Sequence, residues 1–286
     1  MTPSPETAIQ IDQLRVQYGS FTAVDGLSIE IRKGELFGLL GPNGAGKSTT
    51  LRVLIGQRKP TSGSVRVCGL DVVKEWSKIK PLFGYVPDRD NHFDEFTGNR
   101  NLEFFADLYG VPRLRVQQCL KLVELDEAGK VPVRGYSLGM RKKLLLARAL
   151  LHDPQVLYLD EPTANLDIHS AELVHRILRE RVESGATVVM TTHDMGEVEK
   201  ICDRVAIVAK GKLIALDSPL ALRQEHTERK ADVILNSGER LSFNMLAEND
   251  RNRLAELIAS GQTASLQTRE FDFHATFLKL TGLKFE

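Results

Sequence analysis

The sequence predicts an α/β fold, and three observations carry that reading. A short apolar run, Leu36, Phe37, Leu39 and Leu40, reads as a buried strand that a glycine-rich loop joins to a helix. Apolar runs at 156–160 and 186–192 read as further strands, with a helix over 168–183 between them. A block of helical spacing, from about Asn91 to Leu151, interrupts the sheet as an insertion between its two halves.

The loop after the first run is the most specific stretch. Gly41 ends the strand, then come Pro42, Asn43, Gly44, Ala45 and Gly46, and Lys47, Ser48 and Thr49 open the helix. This is the G-x-x-x-x-G-K-[ST] pattern in the strand–loop–helix context it requires. Glycines let backbone N–H groups converge on an anion, and the helix N-terminus adds partial positive charge. Lys47 supplies a point charge for the β- and γ-phosphates, and Ser48 offers its hydroxyl to Mg²⁺. Together these residues point to a bound nucleoside triphosphate.

Composition narrows the class. A chain of 286 residues suits one large α/β domain with a smaller appendage, or one domain with insertions. Its 42% hydrophobic residues suffice for a core, and the formal net charge of zero gives no basic field for nucleic acid. No nucleic-acid partner is expected. Cys68, Cys119 and Cys202 lack ligand or redox spacing and are expected to be reduced, in a cytosolic setting. No apolar run approaches the roughly eighteen residues of a membrane span. The first ten residues lack the basic flank and apolar core of a signal peptide. The expected location is the cytoplasm, with any membrane met through a partner.

Taken in order, residues 8–16 alternate Ile9, Ile11, Leu14 and Val16 with polar positions, with a slip near Gln13, and read as an amphipathic strand. Tyr18 and Phe21 flank a turn at Gly19; the Tyr18 ring either stacks on a base or closes a sheet edge. Leu27, Ile29 and Ile31 mark a second strand, ending at Lys33-Gly34. The segment 58–69 reads as a hairpin strand, and Leu82, Phe83, Tyr85 and Val86 as a short one stopped by Pro87-Asp88. Ser137 is a helix N-cap before MRKKLLLARALL, and with Gly139 it makes a second corner suited to an anion. The strand VLYLD ends in Asp160 and Glu161: the first is placed to hold Mg²⁺ through water, the second to polarise an attacking water. His193 follows a strand at the sheet end where α/β folds place ligands, in reach of a γ-phosphate. Residues 203–219 read as two closing strands. Beyond Pro219 a hairpin, a helix, a strand and a helix follow without evident chemistry.

In their order these stretches resemble the nucleotide-binding subunits of ATP-binding cassette (ABC) transporters, over about residues 8–218. The carriers are Tyr18, GPNGAGKST (41–49), YSLGM (136–140), LYLDEP (157–162), NLD (165–167) and His193. The YSLGM form and the tail FLKLTG (277–282) are similar to the ABC-2 export group, whose ATPase and membrane subunits are usually separate chains. The resemblance implies an ABC-type P-loop core over 1–218, with an antiparallel β subdomain and a helical subdomain at about 89–151. A small C-terminal α/β appendage would fill 219–286. It also implies Mg²⁺ and ATP as ligands, an integral membrane permease as partner, and head-to-tail docking of two copies. Each ATP would lie between Lys47 of one copy and Ser137 and Gly139 of the other. Glu161 would be the general base, His193 the γ-phosphate sensor and Asp167 the link between the two sites. The protein would then sit on the inner face of the cell membrane through the permease.

Two positions depart from that pattern. Asp88 stands where glutamine is usual, at a place that meets Mg²⁺ and the attacking water, so it joins the candidate metal residues. Asn165 replaces the usual glycine, a milder change because asparagine also tolerates left-handed angles. The expected function is an ATPase motor of an exporter. The alternative is an ABC ATPase acting as a regulatory or assembly factor without transport.

Overall fold

The computed structural model describes residues 7–226, 230–269 and 273–282. The chain divides into two compact units, one ending at Asp217 and the other beginning at Ser218.

In the first unit β1 (Thr7–Tyr18) and β2 (Phe21–Arg32) pair antiparallel, and β4 (Ser62–Val67) and β5 (Leu70–Asp71) extend the sheet from the other edge of β1. Ile9, Ile11, Leu14 and Val16 are all buried. The slip at Gln13 is a β-bulge: this residue has φ 46° and the register shifts between Ile11 and Leu14. The extra residue turns the strand so that Leu14 returns to the face already taken by Ile11.

The second sheet has the order β10-β9-β3-β8-β7-β6. Its parallel members are β3 (Leu36–Leu40), β6 (Phe83–Val86), β7 (Val156–Asp160), β8 (Thr187–Thr192) and β9 (Arg204–Ala209). β10 (Lys212–Asp217) runs antiparallel at one edge. Every residue of β3, β7 and β8 is buried, which is why these strands read as unbroken apolar runs instead of alternating ones. The helices α1 (Lys47–Leu54), α6 (Ile168–Glu183) and α7 (Met195–Ile201) connect or follow these strands, and α2 (Trp76–Ile79) is a single turn before β6.

Between β6 and β7 lie α3 (Gly98–Tyr109), α4 (Leu114–Leu122) and α5 (Leu138–Leu150). Side chains cap their starts where the sequence supplies them: Thr97 accepts from the Arg100 N–H and Ser137 from the Met140 N–H. The strands flanking this insertion, β6 and β7, are direct neighbours, so the helical block leaves the sheet continuous.

The second unit holds a three-stranded antiparallel sheet with β11 (Lys230–Leu235) between β12 (Arg240–Asn244) and β13 (Thr263–Arg269). Its helices are α8 (Pro219–His226), α9 (Glu248–Ala259) and α10 (Phe273–Thr281). Ala231, Val233, Phe243 and Leu254 form its small core, matching the hairpin, helix, strand and helix read from the pattern.

Candidate active site

The parallel strands β3, β7 and β8 end at one edge of their sheet, and the loops leaving them carry Gly41–Gly46, Glu161 and His193. Backbone geometry makes the first loop a cradle. Gly46 has φ 106° and caps α1 without any side-chain hydrogen bond, so the first N–H groups of the helix are left for an anion. A Cβ on Gly46 would stand 2.6 Å from the Ala23 carbonyl oxygen, and one on Gly41 would collide with that of Val208. The Gly211 N–H also donates to the Ala45 carbonyl at 3.0 Å, while its own carbonyl accepts from the Asp25 N–H at 2.8 Å.

A cleft opens over this cradle. Pro42, Asn43, Gly44, Ala45, Gly46, Lys47, Ser48 and Thr49 line it, with Phe21, Ala23, Asp88, Asp160 and Glu161. Lys47 is 6% exposed and its Nζ donates to the carbonyls of Gly41 at 2.5 Å and Pro42 at 3.3 Å. Burial holds this ammonium below its ordinary pKa, against the opposite pull of the carboxylates of Glu161 and Asp160. The Ser48 hydroxyl donates to Oδ1 of Asp160 at 3.1 Å, and the Thr191 hydroxyl donates to the same oxygen at 2.6 Å. Nearby Tyr85 is kept a neutral phenol: burial first, then the Asp160 carboxylate, push its pKa up to about 12.

Glu161 has one oxygen 3.6 Å from Lys47 Nζ and the other 2.9 Å from His193 Nδ1. Its backbone lies in the left-handed region at φ 50°. The N–H is held by the Thr191 carbonyl and hydroxyl at 3.1 and 3.2 Å, and the carbonyl by Lys142 Nζ at 2.6 Å. Asp88 reaches the cleft and stands 3.9 Å from the same Lys142 ammonium.

Other candidate residues lie outside the cleft lining. His193 reaches it only through Glu161. Tyr18 holds the Arg58 guanidinium 4.4 Å from its ring centroid, and the aromatic in the lining is Phe21. Ser137 and Gly139 start α5 on an exposed turn, where a Cβ on Gly139 would stand 3.3 Å from Ser170 Oγ and 3.8 Å from Asp167 Oδ2. Asp167 caps α6 by accepting from the Ser170 N–H and hydroxyl; these bonds hold its carboxyl below the usual range. Asn165 adopts φ 63°, the left-handed conformation expected of it. Phe21, Lys142 and Thr191 were not singled out by the sequence. The aromatic pair around Gly19 was the one signal for Phe21, and nothing in MRKKLLL marks which cation turns inward.

The donors beside the cradle suit a small hard cation. Ser48 and Asp160 offer adjacent oxygens, and no cluster of three or more acidic, histidine or cysteine ligands occurs among the described residues. Mg²⁺ fits such a sparse set, because it completes its shell with phosphate oxygens and water.

A phosphate cradle after β3, a carboxylate pair at the end of β7, one strand removed, and a helical insertion define a P-loop ATPase of the cassette class. The family model described as ABC transporter matches residues 24–164. Over an alignment of 297 positions, gaps included, the chain is 34% identical to the Nod factor export ATP-binding protein I of Cupriavidus metallidurans, covering 96% of this chain and 97% of that one. It is 34% identical over 264 residues to a fluoroquinolones export ATP-binding protein of Mycobacterium tuberculosis, covering 91% and 88%. Among solved structures it is similar to an ATP-binding cassette seen as a dimer in a post-hydrolysis state with ADP and Pi. That match has a TM-score of 0.68 at 26% identity and covers 73% of this chain and 98% of that one. The chain belongs to the ABC transporter ATP-binding subunits, and it is an ATP hydrolase of that family.

Proposed function

We propose that this chain is the motor of an exporter, closing as a head-to-tail pair around two ATP molecules to drive a separate membrane-spanning permease. The observation that carries the paired arrangement is the position of the α5 start. Ser137 and Gly139 do not line their own chain's cleft, and Gly139 lies beside Asp167. In this reading a second copy, docked head to tail, brings a serine hydroxyl and a helix N-terminus to each nucleotide. The relatives' names, export of Nod factor and of fluoroquinolones, support outward transport. No helix among the described residues is long and apolar enough to cross a membrane, so a permease would supply the path and hold this subunit at the inner face of the membrane.

In this reading Lys47 and the loop N–H groups grip the β- and γ-phosphates, with Tyr18 and Phe21 offering aromatic surface to the base. Ser48 and Asp160 would hold Mg²⁺, with Asp88 in its outer shell; the ion, when bound, neutralises charge on the phosphate oxygens. Glu161 takes the proton from the attacking water, and His193 contacts the γ-phosphate. Asp167, beside the α5 start, links one site to the other.

The test is copurification from membranes with the product of a neighbouring reading frame that encodes a multi-span protein. An exporter motor comes out with that partner, its ATPase rate responds to it, and vesicles carrying both move cargo outward. Full ATPase activity with no membrane partner in cells would instead mark a regulatory or assembly factor.

A further inference from the structure

Lys142 stands about a turn and a half beyond Ser137 on α5, turned away from solvent with its side chain 6% exposed. A buried ammonium is costly unless it is paired and hydrogen-bonded. This one spends its charge on the catalytic cleft: Nζ donates to the Glu161 carbonyl at 2.6 Å and lies 3.9 Å from Oδ1 of Asp88. The two neighbouring cations in sequence face elsewhere or remain partly exposed; Arg141 pairs with Asp90 and Asp94 at 3.3 and 2.8 Å.

The grip on Glu161 falls where it matters. At φ 50° a glutamate backbone is held in a conformation that L-residues with long side chains seldom adopt, and it persists only when its surroundings fix it. Thr191 secures the peptide group before the residue and Lys142 the one after it. The carboxylate is thereby aimed between Lys47 and His193. A glutamine at position 88 would leave the buried ammonium without its carboxylate neighbour.

We propose that Lys142 is a positioning residue for ATP hydrolysis, holding the Glu161 backbone so that its carboxylate faces the reacting water, and that Asp88 is present as the counter-charge of Lys142. The two residues form one unit. This rests on Glu161 being the general base, and it goes further by assigning the group that aims the base and the reason for aspartate at 88.

The experiment compares full-length wild type with Lys142→Met, Lys142→Arg, Lys142→Gln, Asp88→Gln and the Lys142→Gln/Asp88→Gln double variant. Steady-state kinetics, equilibrium Mg-ATP affinity and thermal unfolding are measured for each. Lys142→Met is expected to lower kcat about tenfold or more with KM and ATP affinity within about twofold. Lys142→Arg recovers part of the rate. The two single glutamine changes each slow turnover, and the double variant is faster than the product of their separate effects by about tenfold. An unchanged kcat in Lys142→Met, or glutamine effects that simply multiply, overturns the proposal. Should Lys142→Met fail to fold, the glutamine cycle alone decides. Glu161→Gln is run in parallel: wild-type turnover in that variant removes the base assignment itself, a failure distinct from either outcome at Lys142.

Discussion

His193 Nδ1 and Glu161 Oε2 stand 2.9 Å apart at the ends of adjacent strands, while the other Glu161 oxygen faces the Lys47 ammonium. The carboxylate is thus shared between two groups that the proposed mechanism assigns to phosphate. In the proposed mechanism this places the base beside both phosphate contacts.

Glu161→Gln is accordingly expected to keep ATP binding and lose turnover by ~10²–10⁴-fold, the usual contribution of a positioned base. The ATP-bound pair then persists. Size-exclusion chromatography in Mg-ATP reads this as a dimer; a monomer with normal hydrolysis would remove Glu161 from the role.

Lys47→Ala removes an ammonium that donates to the Gly41 and Pro42 carbonyls at the cradle. Charged hydrogen bonds contribute about 1.5–3 kcal/mol, so ATP affinity is expected to drop by about ten- to a hundredfold and hydrolysis to be lost. Equilibrium binding and turnover are both measured, and normal values in both contradict the loop assignment.

Much of this was legible because it is local. The phosphate loop, the Ser137 cap and the left-handed Asn165 each rest on a few neighbouring residues, and the slip in period near Gln13 marks the place where the structure has a bulge. Thr191 was hidden in an apolar run as one more strand residue, although its hydroxyl orders Asp160. Lys142 is one of three consecutive cations, and only the phase of α5 against the sheet decides which is buried. The partner of Asp88 was equally out of reach, since that contact joins the end of β6 to α5, across α3 and α4.

Asp88 lines the cleft and is 54% exposed. Its charge near the metal position should disfavour metal-free ATP and favour Mg-ATP, by a modest factor because Lys142 offsets part of it. Asp88→Gln and Asp88→Ala are each expected to reduce the Mg²⁺ dependence of ATP affinity by up to about fivefold. Titrations with and without Mg²⁺ check this; identical dependence in all three proteins would leave Asp88 without a role at the metal.

Two histidines set a pH dependence of stability. His92 and His152 each place Nε2 3.0 Å from a carbonyl, of Arg141 and Phe83, and must donate there because a carbonyl only accepts. Burial outweighs these bonds and holds both imidazoles below their ordinary 6.5. As pH falls through 6.5 the unfolded chain takes up protons that the folded chain still refuses, so stability declines, by less than about 1.4 kcal/mol per pH unit for each histidine. The buried Glu35, whose carboxyl is raised by desolvation, opposes the trend nearer its ordinary 4.5. Denaturant unfolding between about pH 7.5 and about pH 5.5 should show the loss, and replacing both histidines by glutamine should flatten it.

The latch at Gly211 gives the nucleotide site an address far from its motif. At φ 77° any Cβ there would press to 2.9 Å of the Ala23 carbonyl, disturbing the β2 start and the Ala45 bond together. In a mutagenesis library screened for ATP hydrolysis, position 211 would therefore tolerate as little variety as the glycines of the cradle. An inactive variant recovered there would carry an intact phosphate-binding sequence, and sequencing only the motif regions would score it as healthy.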